Sequence, residues 1–493
     1  MYRSRTGGSL DKKVIEFLSS TKTDRHILDY DILGSEAHII MLFKKGILSS
    51  TSLRKLLVEL ERIRKNPKLL SMEGFEDVHE SIEARLISDL GYEVGGVLQT
   101  ARSRNDQVIL DIRMMVRDFI NEISKAILRF ISALLAKSKE NFHSIMPMYT
   151  HLQQAQLGTF SHYLLSYVDS LFRDLDRLDN IYNRINTSPL GACAIGGTSI
   201  NIDRNLTASL LGFNGVMYNS IDATTSRDVL IEFLSSLSIV MLTLTRISED
   251  FILWNTTEFG YVEVPDSYSS TSSLMPQKKN PDSLELIRAK SAVVYSSLFA
   301  VISILKGLPS GYGRDLQELK PELIRSACLA LDNLGILTGL TLGLKVNTKR
   351  MREAANDSYA ISADIAERLV LEKRIPFRLA HSIVGSLVKK AVSKGNVRLS
   401  ILTRSEIRTV LKETNRQIDA SDLYAIIRKL NPQKSVDLRI SSGSPSIHEQ
   451  RKLFNFAVER KKKFEEQVSG REKHLASSFA HFKSIIEKYK MRN

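Results

Sequence analysis

Cysteine is almost absent: 493 residues carry two, Cys193 and Cys328. Two thiols cannot build a disulfide framework or a cysteine-rich zinc site, and their scarcity fits a reducing cytosol. No His-Glu-x-x-His run supplies a pair of metal-ligating imidazoles. The stretch Gly191–Thr198 lacks the Gly-Lys-Ser/Thr ending of a P-loop, so its glycines are read as places where backbone approaches a neighbouring loop. No uncharged apolar run reaches the roughly 18 residues of a membrane span, and Met1–Leu10 shows no signal-peptide core. Strand-like alternation is scarce and no periodic repeat is present. Acidic residues are the other shortage: 55 Asp and Glu face 69 Lys and Arg, a formal charge of +14. Such an excess suits nucleic acid or anionic small molecules. It is scattered, however, and its densest run, Arg460–Lys463, is flanked by Glu459, Glu465 and Glu466. That run reads as a solvated helix face rather than a nucleic-acid patch. The basic tail 470–493 has no legible role.

Hydrophobic residues make up 43% of the chain, enough for a sizeable core, and the length suggests about three domains. Four segments free of Gly and Pro carry apolar residues at helical spacing: Gln107–Phe142, Thr159–Ser188, Asp222–Phe259 and Asp282–Lys306. In the first, Ile109, Ile112, Val116, Phe119, Ile123, Ile127, Phe130 and Leu134 recur every three or four residues. At 1.5 Å per residue these helices would be about 35–55 Å long, several times the usual three turns. Val229–Trp254 is apolar on nearly every side, so it must be buried, and a single chain of this size cannot easily wrap it. The expectation is an all-α, elongated chain in three parts: an N-terminal helical domain 1–106, a central long-helix bundle 107–348 and a C-terminal helical domain 349–493. The bundle would complete itself by symmetric self-association into a multi-subunit helical core.

Chemistry concentrates where those helices end. The segment Ser270–Pro281, Ser-Thr-Ser-Ser-Leu-Met-Pro-Gln-Lys-Lys-Asn-Pro, lies in a connection spanning 260–281. That exceeds the roughly 12–15 residues beyond which a structureless loop is usually functional or disordered. A flap with hydroxyls, two ammonium groups and an amide suits an anionic small molecule and closure away from water. Thr100–Gln107 opens the first long helix with Arg102 and Arg104 at the positive end of its dipole. Cations are unfavourable there, so an anionic partner is expected. His151 sits among Tyr149, Thr150, Gln153 and Gln156, a set that residue types alone leave open between a structural and a substrate-holding role. Gly311–Lys320 is equally open between a plain connection and part of a site.

Together these segments resemble the fumarase, aspartase and argininosuccinate lyase superfamily, whose members eliminate fumarate from a succinyl-bearing substrate. Ser270–Pro281 is similar to the superfamily signature, with Thr271 where Gly is usual. The Arg102–Gln107 run, Arg-Ser-Arg-Asn-Asp-Gln, and the Gln277–Asn280 run resemble the argininosuccinate lyase branch in particular. Ser20 with Asp24-Arg25, Glu76-Asp77-Val78-His79, Tyr149–Gln153, Ser188–Thr198 and Asp315–Lys320 resemble further motifs of that branch. Coverage runs from about residue 7 to 450. Met148, Leu157 and Leu319 depart from the usual Gly, Pro and Asp, and the branch's N-terminal Trp-Gly-Gly-Arg-Phe is missing.

The resemblance implies elimination of L-arginine from argininosuccinate in the cytoplasm, without metal or organic cofactor. It implies Ser272 as the base, His151 as the general acid or its positioning group, Lys278 as a charge stabiliser and Glu285 as the residue orienting the imidazole. Ser20, Arg104, Asn105, Thr150, Asn280, Tyr312, Gln317 and Lys320 become substrate ligands. It further implies a homotetramer in which three chains contribute to each site. Two rival readings stand beside it: another fumarate-releasing lyase acting on adenylosuccinate, fumarate or aspartate, and a silent crystallin-like structural homologue. Membrane association is not expected, and nucleic-acid binding by the tail is the weakest alternative.

Overall fold

Apolar residues at three- and four-residue spacing become very long helices. The computed structural model describes residues 11–71, 73–413 and 418–491. The readings at Met1–Leu10, and the last two residues of the basic tail, lie outside them. Twenty α-helices and six short strands form among the described residues, the all-α architecture expected. An N-terminal layer contains α1 (Leu28–Lys44), α2 (Ser50–Lys65) and α3 (Val78–Leu90). The bundle follows with α4 (Arg104–Glu140), a hairpin of β1 (Ile145–Thr150) and β2 (Gln153–Thr159), α5 (Phe160–Ile185), α6 (Asp228–Trp254), α7 (Asp282–Leu305) and α8 (Leu319–Gly343). α4 starts at a capping box in which Ser103 and Asp106 satisfy each other's backbone N–H groups. Its Ile109, Ile112, Val116, Ile123, Ile127, Phe130 and Leu134 are fully enclosed.

Two boundaries differ from the sequence expectation. The segment 222–259 breaks at Ser226, which is extended, so Ser220–Thr225 is a separate short helix. The buried Arg227 guanidinium donates to the carbonyls of Thr224 and Ser226 at 3.0 and 2.9 Å, replacing the helical bonds lost there. α8 escaped notice because it contains Pro321, Gly335, Gly339 and Gly343. Pro321 falls in the first turn, where no N–H partner is needed. Gly339 and Gly343 let the 260–281 connection lie against the helix: a Cβ at Gly339 would come within 1.9 Å of the Tyr268 hydroxyl, and one at Gly343 within 2.8 Å of Pro265.

Helices shorten after residue 347, and a separate apolar cluster gathers Ile365 to Leu430. One long helix then returns: α9 (Ile447–Lys490) has 44 residues and packs along α4, α5 and α2. Its basic residues meet acidic ones on the bundle and on the N-terminal layer. Arg460 pairs with Asp176 at 2.7 Å, Arg471 with Asp179, and Lys490 with Glu61. Phe482 and Ile486 enter the core of the N-terminal layer.

The helices α6 and α7, and the run 314–343, are long and apolar enough to cross a membrane by length and composition. A search for uncharged runs misses this because scattered charges interrupt each one. All three are bundle helices here, yet only 28% of the apolar window of α7 is covered within the chain. Leu286, Tyr295, Phe299 and Ile302 stand exposed along it. The chain presents 24029 Å² of surface, against about 18,000 Å² for a typical folded monomer of this mass.

The bundle has two poles. Arg104, the Thr225–Asp228 bend and Gly311 share one, since Gly311 N donates to Thr225 Oγ1 at 2.9 Å and Arg314 shares Glu76 with Arg104. Trp254, Tyr261, the hairpin and the flap share the other, where Tyr261 N reaches the Trp254 carbonyl and the Tyr149 and Tyr261 hydroxyls meet at 2.6 Å. α6 and α7 each span the distance between poles, about 35–40 Å at 1.5 Å per residue.

Candidate active site

At the first pole, cations and donors converge on a small set of carboxylates. Arg104, at the first turn of α4, donates to Asp77 at 2.8 Å and Glu76 at 3.2 Å, and Arg314 reaches Glu76 at 2.8 Å. Those carboxylates explain how arginine tolerates the positive end of a helix dipole. Arg102 is buried behind them and donates to Ser35 Oγ at 2.9 Å. Ser20 donates to Asp24 at 2.7 Å, and the buried Lys320 ammonium lies against both. Gln317 Nε2 reaches the Leu18 carbonyl at 3.3 Å, and Asn105 Nδ2 the Ala194 carbonyl at 3.0 Å. Tyr312 sits half-buried in the same region, its phenol pushed up by burial although Arg227 and Arg314 oppose the shift.

The Gly191–Cys193 loop is locked to this pole through Asp106. Gly191 N and Cys193 N donate to its Oδ2 at 2.9 and 2.8 Å. Gly191 has φ of 88°, and a Cβ there would strike Arg204 and Ile202 at under 3 Å, so glycine is required for the approach. Burial pushes the Asp106 carboxyl up to about 6 even though three N–H groups pull it down. Burial, then the Asp106 charge, pushes the Cys193 thiol up to about 11, which makes it inert rather than nucleophilic.

At the second pole the hairpin turns through His151 and Leu152, both with φ of 56°, a conformation normally given to Asn or Gly. Thr150, His151 and Leu152 are exposed. Met148 is accommodated over Gly158, beside a register irregularity between Pro147 and Tyr149. Of six non-glycine residues at positive φ among the described residues, four lie in the motif segments: Ala101, His151, Leu152 and Cys193. Strained backbone of this kind clusters where geometry serves function.

The flap is a narrow hairpin in which Ser270 pairs with Asn280 and Thr271 with Lys279. Ser272 N closes the turn on the Lys278 carbonyl at 3.2 Å. Ser272 Oγ accepts from Leu274 N at 3.2 Å and Met275 N at 3.0 Å. Two dipoles aimed at one oxygen lower the cost of negative charge on it. The adjacent lysines part company. Lys279 pairs with Glu263 at 3.1 Å and Asp266 at 2.5 Å, whereas Lys278 is exposed and makes no ion pair among the described residues. Glu285 is exposed on the first turn of α7.

The twelve residues singled out by sequence therefore fall into two groups. Ser20, Arg104, Asn105, Tyr312, Gln317 and Lys320 occupy the first pole. Thr150, His151, Ser272, Lys278, Asn280 and Glu285 belong to the second. No single chain brings the groups together. Sequence reasoning did not assign site roles to Asp77 and Glu76, which hold Arg104, or to Arg314, which shares Glu76 with it; the Glu76-Asp77-Val78-His79 run and the Gly311–Lys320 segment were their signal. Arg227 also went unnoticed, hidden in a segment read as one helix. Asp31, His79 and Asp111 are buried with ligand atoms within 4.8 Å of one another, close enough to share a cation.

Residues 11–296 match the Lyase family and residues 359–437 the argininosuccinate lyase C-terminal region. An argininosuccinate lyase of Nitrosopumilus maritimus is 44% identical over 488 residues, covering 99% of each chain. Another from Methanothrix thermoacetophila is 39% identical over 465 residues, covering 94% of this chain and 93% of its own. Among solved structures, an EDDS lyase in complex with formate matches with a TM-score of 0.88 at 27% identity, covering 98% of this chain and 97% of that one.

Proposed function

Because the chain belongs to the argininosuccinate lyase family, we propose that it eliminates L-arginine from L-argininosuccinate to give fumarate. The observation that carries the mechanism is the Ser272 turn, with two N–H groups on Oγ. Ser272 takes a proton from the succinyl carbon next to a carboxylate, and negative charge spreads onto that carboxylate. Lys278, Asn280, Thr150 and Asn105 meet the charge as cationic, amide and hydroxyl donors. The carbon–nitrogen bond then breaks, its electrons pass to nitrogen, and the guanidino nitrogen takes a proton from the His151 side, with Glu285 orienting that imidazole. Ser20, Arg104, Tyr312, Gln317 and Lys320 hold the substrate's carboxylates. The base and these ligands start about 35–40 Å apart in one chain. The reading therefore includes a homotetramer with antiparallel chains, three of them contributing to each site, so that the two poles of a site come from different subunits. The exposed apolar face of α7 and the excess surface support such burial. The division into an N-terminal layer, a bundle with its flap and a C-terminal part belongs to the same reading, as does a cytoplasmic location. The test is release of arginine and fumarate from argininosuccinate, with adenylosuccinate, aspartate and malate as controls. Turnover of a control substrate in its place would transfer the chain to a sister activity.

A further inference from the structure

A cluster of titratable groups lies beneath the first pole, and the proposed reaction gives it no task. Asp31 on α1, His79 on α3 and Asp111 on α4 are all enclosed. His79 Nδ1 meets Asp31 Oδ1 at 3.0 Å and Asp111 Oδ2 at 3.8 Å. Gln107 Nε2 donates to the same Asp31 oxygen at 3.0 Å. His79 follows Glu76 and Asp77, whose carboxylates hold Arg104, and the Glu76 carbonyl accepts from Ser20 N at 2.8 Å. Gln107 lies one turn beyond Arg104 on α4. One imidazole thus ties three helices where both Arg104-holding segments leave the core.

We propose that Asp31, His79 and Asp111 form a proton-holding triad that positions Arg104 and Ser20 for the substrate's carboxylates. The proposal rests on reading this pole as a carboxylate site. The charged groups facing the imidazole are Asp31 from α1, Asp77 from the preceding turn, and Asp111 with Arg102 from α4 and the turn before it. Glu83 on α3 and Lys320 on α8 complete the surroundings, facing Arg102 and Asp111 respectively. Burial alone would lower the imidazole, but Asp31, then Asp77 and Asp111, outweigh it and push it up to about 9. Burial, then the Asp31 charge, raises the Asp111 carboxyl well above its ordinary value. The triad therefore sets the imidazolium against the Asp31 carboxylate, whose pKa His79 lowers, while burial and the Asp31 charge favour the protonated form of Asp111. His79 Nε2 and both Asp111 oxygens are buried without a hydrogen-bond partner among the described residues. Apolar packing would hold the helices without that cost, so the polar groups serve orientation. Arg102 and Lys320 already supply positive charge, which favours a proton over a metal cation in the cluster.

The test uses His79→Leu, His79→Gln, Asp111→Asn and Asp111→Leu in the full-length enzyme, with assembly followed by light scattering. His79→Leu is expected to raise KM for argininosuccinate by on the order of 10- to 100-fold with a smaller loss in kcat, as when a binding group is misplaced by about 1 Å. Asp111→Asn, which keeps a neutral hydrogen-bonding group, is expected to cost less than Asp111→Leu. Wild-type KM is expected to climb as pH passes about 9, a limb that His79→Gln loses. An unchanged KM in His79→Leu, or a retained alkaline limb in His79→Gln, overturns the proposal. So does activation by added Zn²⁺ reversed by EDTA, which would make the cluster a cation site. Should His79→Leu fail to assemble, NMR of ¹³C-labelled histidine in ligand-free wild type decides, with His79→Gln assigning the signal. An imidazole titrating near 9 supports the triad, and one already neutral at pH 7 overturns it. That readout needs no turnover, so failure of the triad is distinct from failure to release arginine and fumarate.

Discussion

A serine hydroxyl can take a carbon-bound proton only where its alkoxide is stabilised, and at Ser272 the N–H groups of Leu274 and Met275 already point at Oγ. Ser272→Ala should leave assembly intact and lower turnover by on the order of 10²–10⁴, the range for a positioned acid–base group. Turnover close to wild type in a steady-state fumarate assay would pass the role to Ser273. The neighbouring lysines separate on the same grounds. Lys278 makes no ion pair among the described residues and Lys279 is held by Glu263 and Asp266, so Lys278→Met should lower kcat by at least ~10². Lys279→Met removes only an exposed pair, worth little. Equal, small effects on kcat would show both lysines to be surface groups. At this scale the sequence was readable wherever a residue's chemistry is unusual for its place, as with two arginines at a helix N-terminus. It was silent on how such residues are tolerated. That Asp77 and Glu76 neutralise Arg104, and that Asp106 caps its own helix through Oδ1 while Oδ2 binds the Gly191 loop, depends on contacts across more than 25 residues.

Elements were legible where one period governs a long stretch and hidden where a close contact has altered the sequence. α4, α5 and α7 begin and end within a few residues of the periodic segments. α8 was concealed by its glycines, and each of two marks a place where the 260–281 connection touches the helix. The flap therefore rests on a fixed base, Tyr268 over Gly339 and Pro265 over Gly343, while its tip, Ser272–Lys278, stays mostly exposed. This arrangement suits a lid that moves at its tip and hinges at its pairing residues. Gly339→Ala would place a methyl group 1.9 Å from the Tyr268 hydroxyl and should destabilise by about 1–3 kcal/mol, the range for overpacking. Calorimetry would register a lower melting temperature, and the loss combined with Tyr268→Ala should be less than additive. An unaltered melting temperature in Gly339→Ala would mean the base of the flap is free to shift. α9 was hidden for another reason: its charges read as solvent-facing, yet Arg460 and Arg471 stack on Phe172 and Tyr182 of α5 while pairing with its aspartates.

At the scale of the whole molecule, helix length decides the mechanism. A helix that satisfies its backbone internally is rigid, so the poles of one chain cannot fold towards each other. The twelve candidate residues can then meet only if chains lie antiparallel, placing the Ser272 pole of one beside the Asn105 pole of another. The expectation of self-association rested on the all-apolar circumference of Val229–Trp254, but the open apolar face lies elsewhere. That helix is largely covered by its own chain, and α7 carries the exposed stripe of Leu286, Tyr295, Phe299 and Ile302. Mixing two inactive variants tests the arrangement directly. Ser272→Ala disables the flap pole and Asn105→Leu the opposite one, and each variant alone should be inactive and tetrameric by light scattering. Denatured together in equal amounts and refolded, they should regain activity, because a site drawing its poles from different chains can receive both intact groups. With random mixing each group is intact in half of the chains, so about a quarter of the sites should work. Mixed tetramers without recovered turnover would require both poles of a site to come from one chain, which the length of α6 and α7 forbids, and the assignment of at least one pole would have to be abandoned.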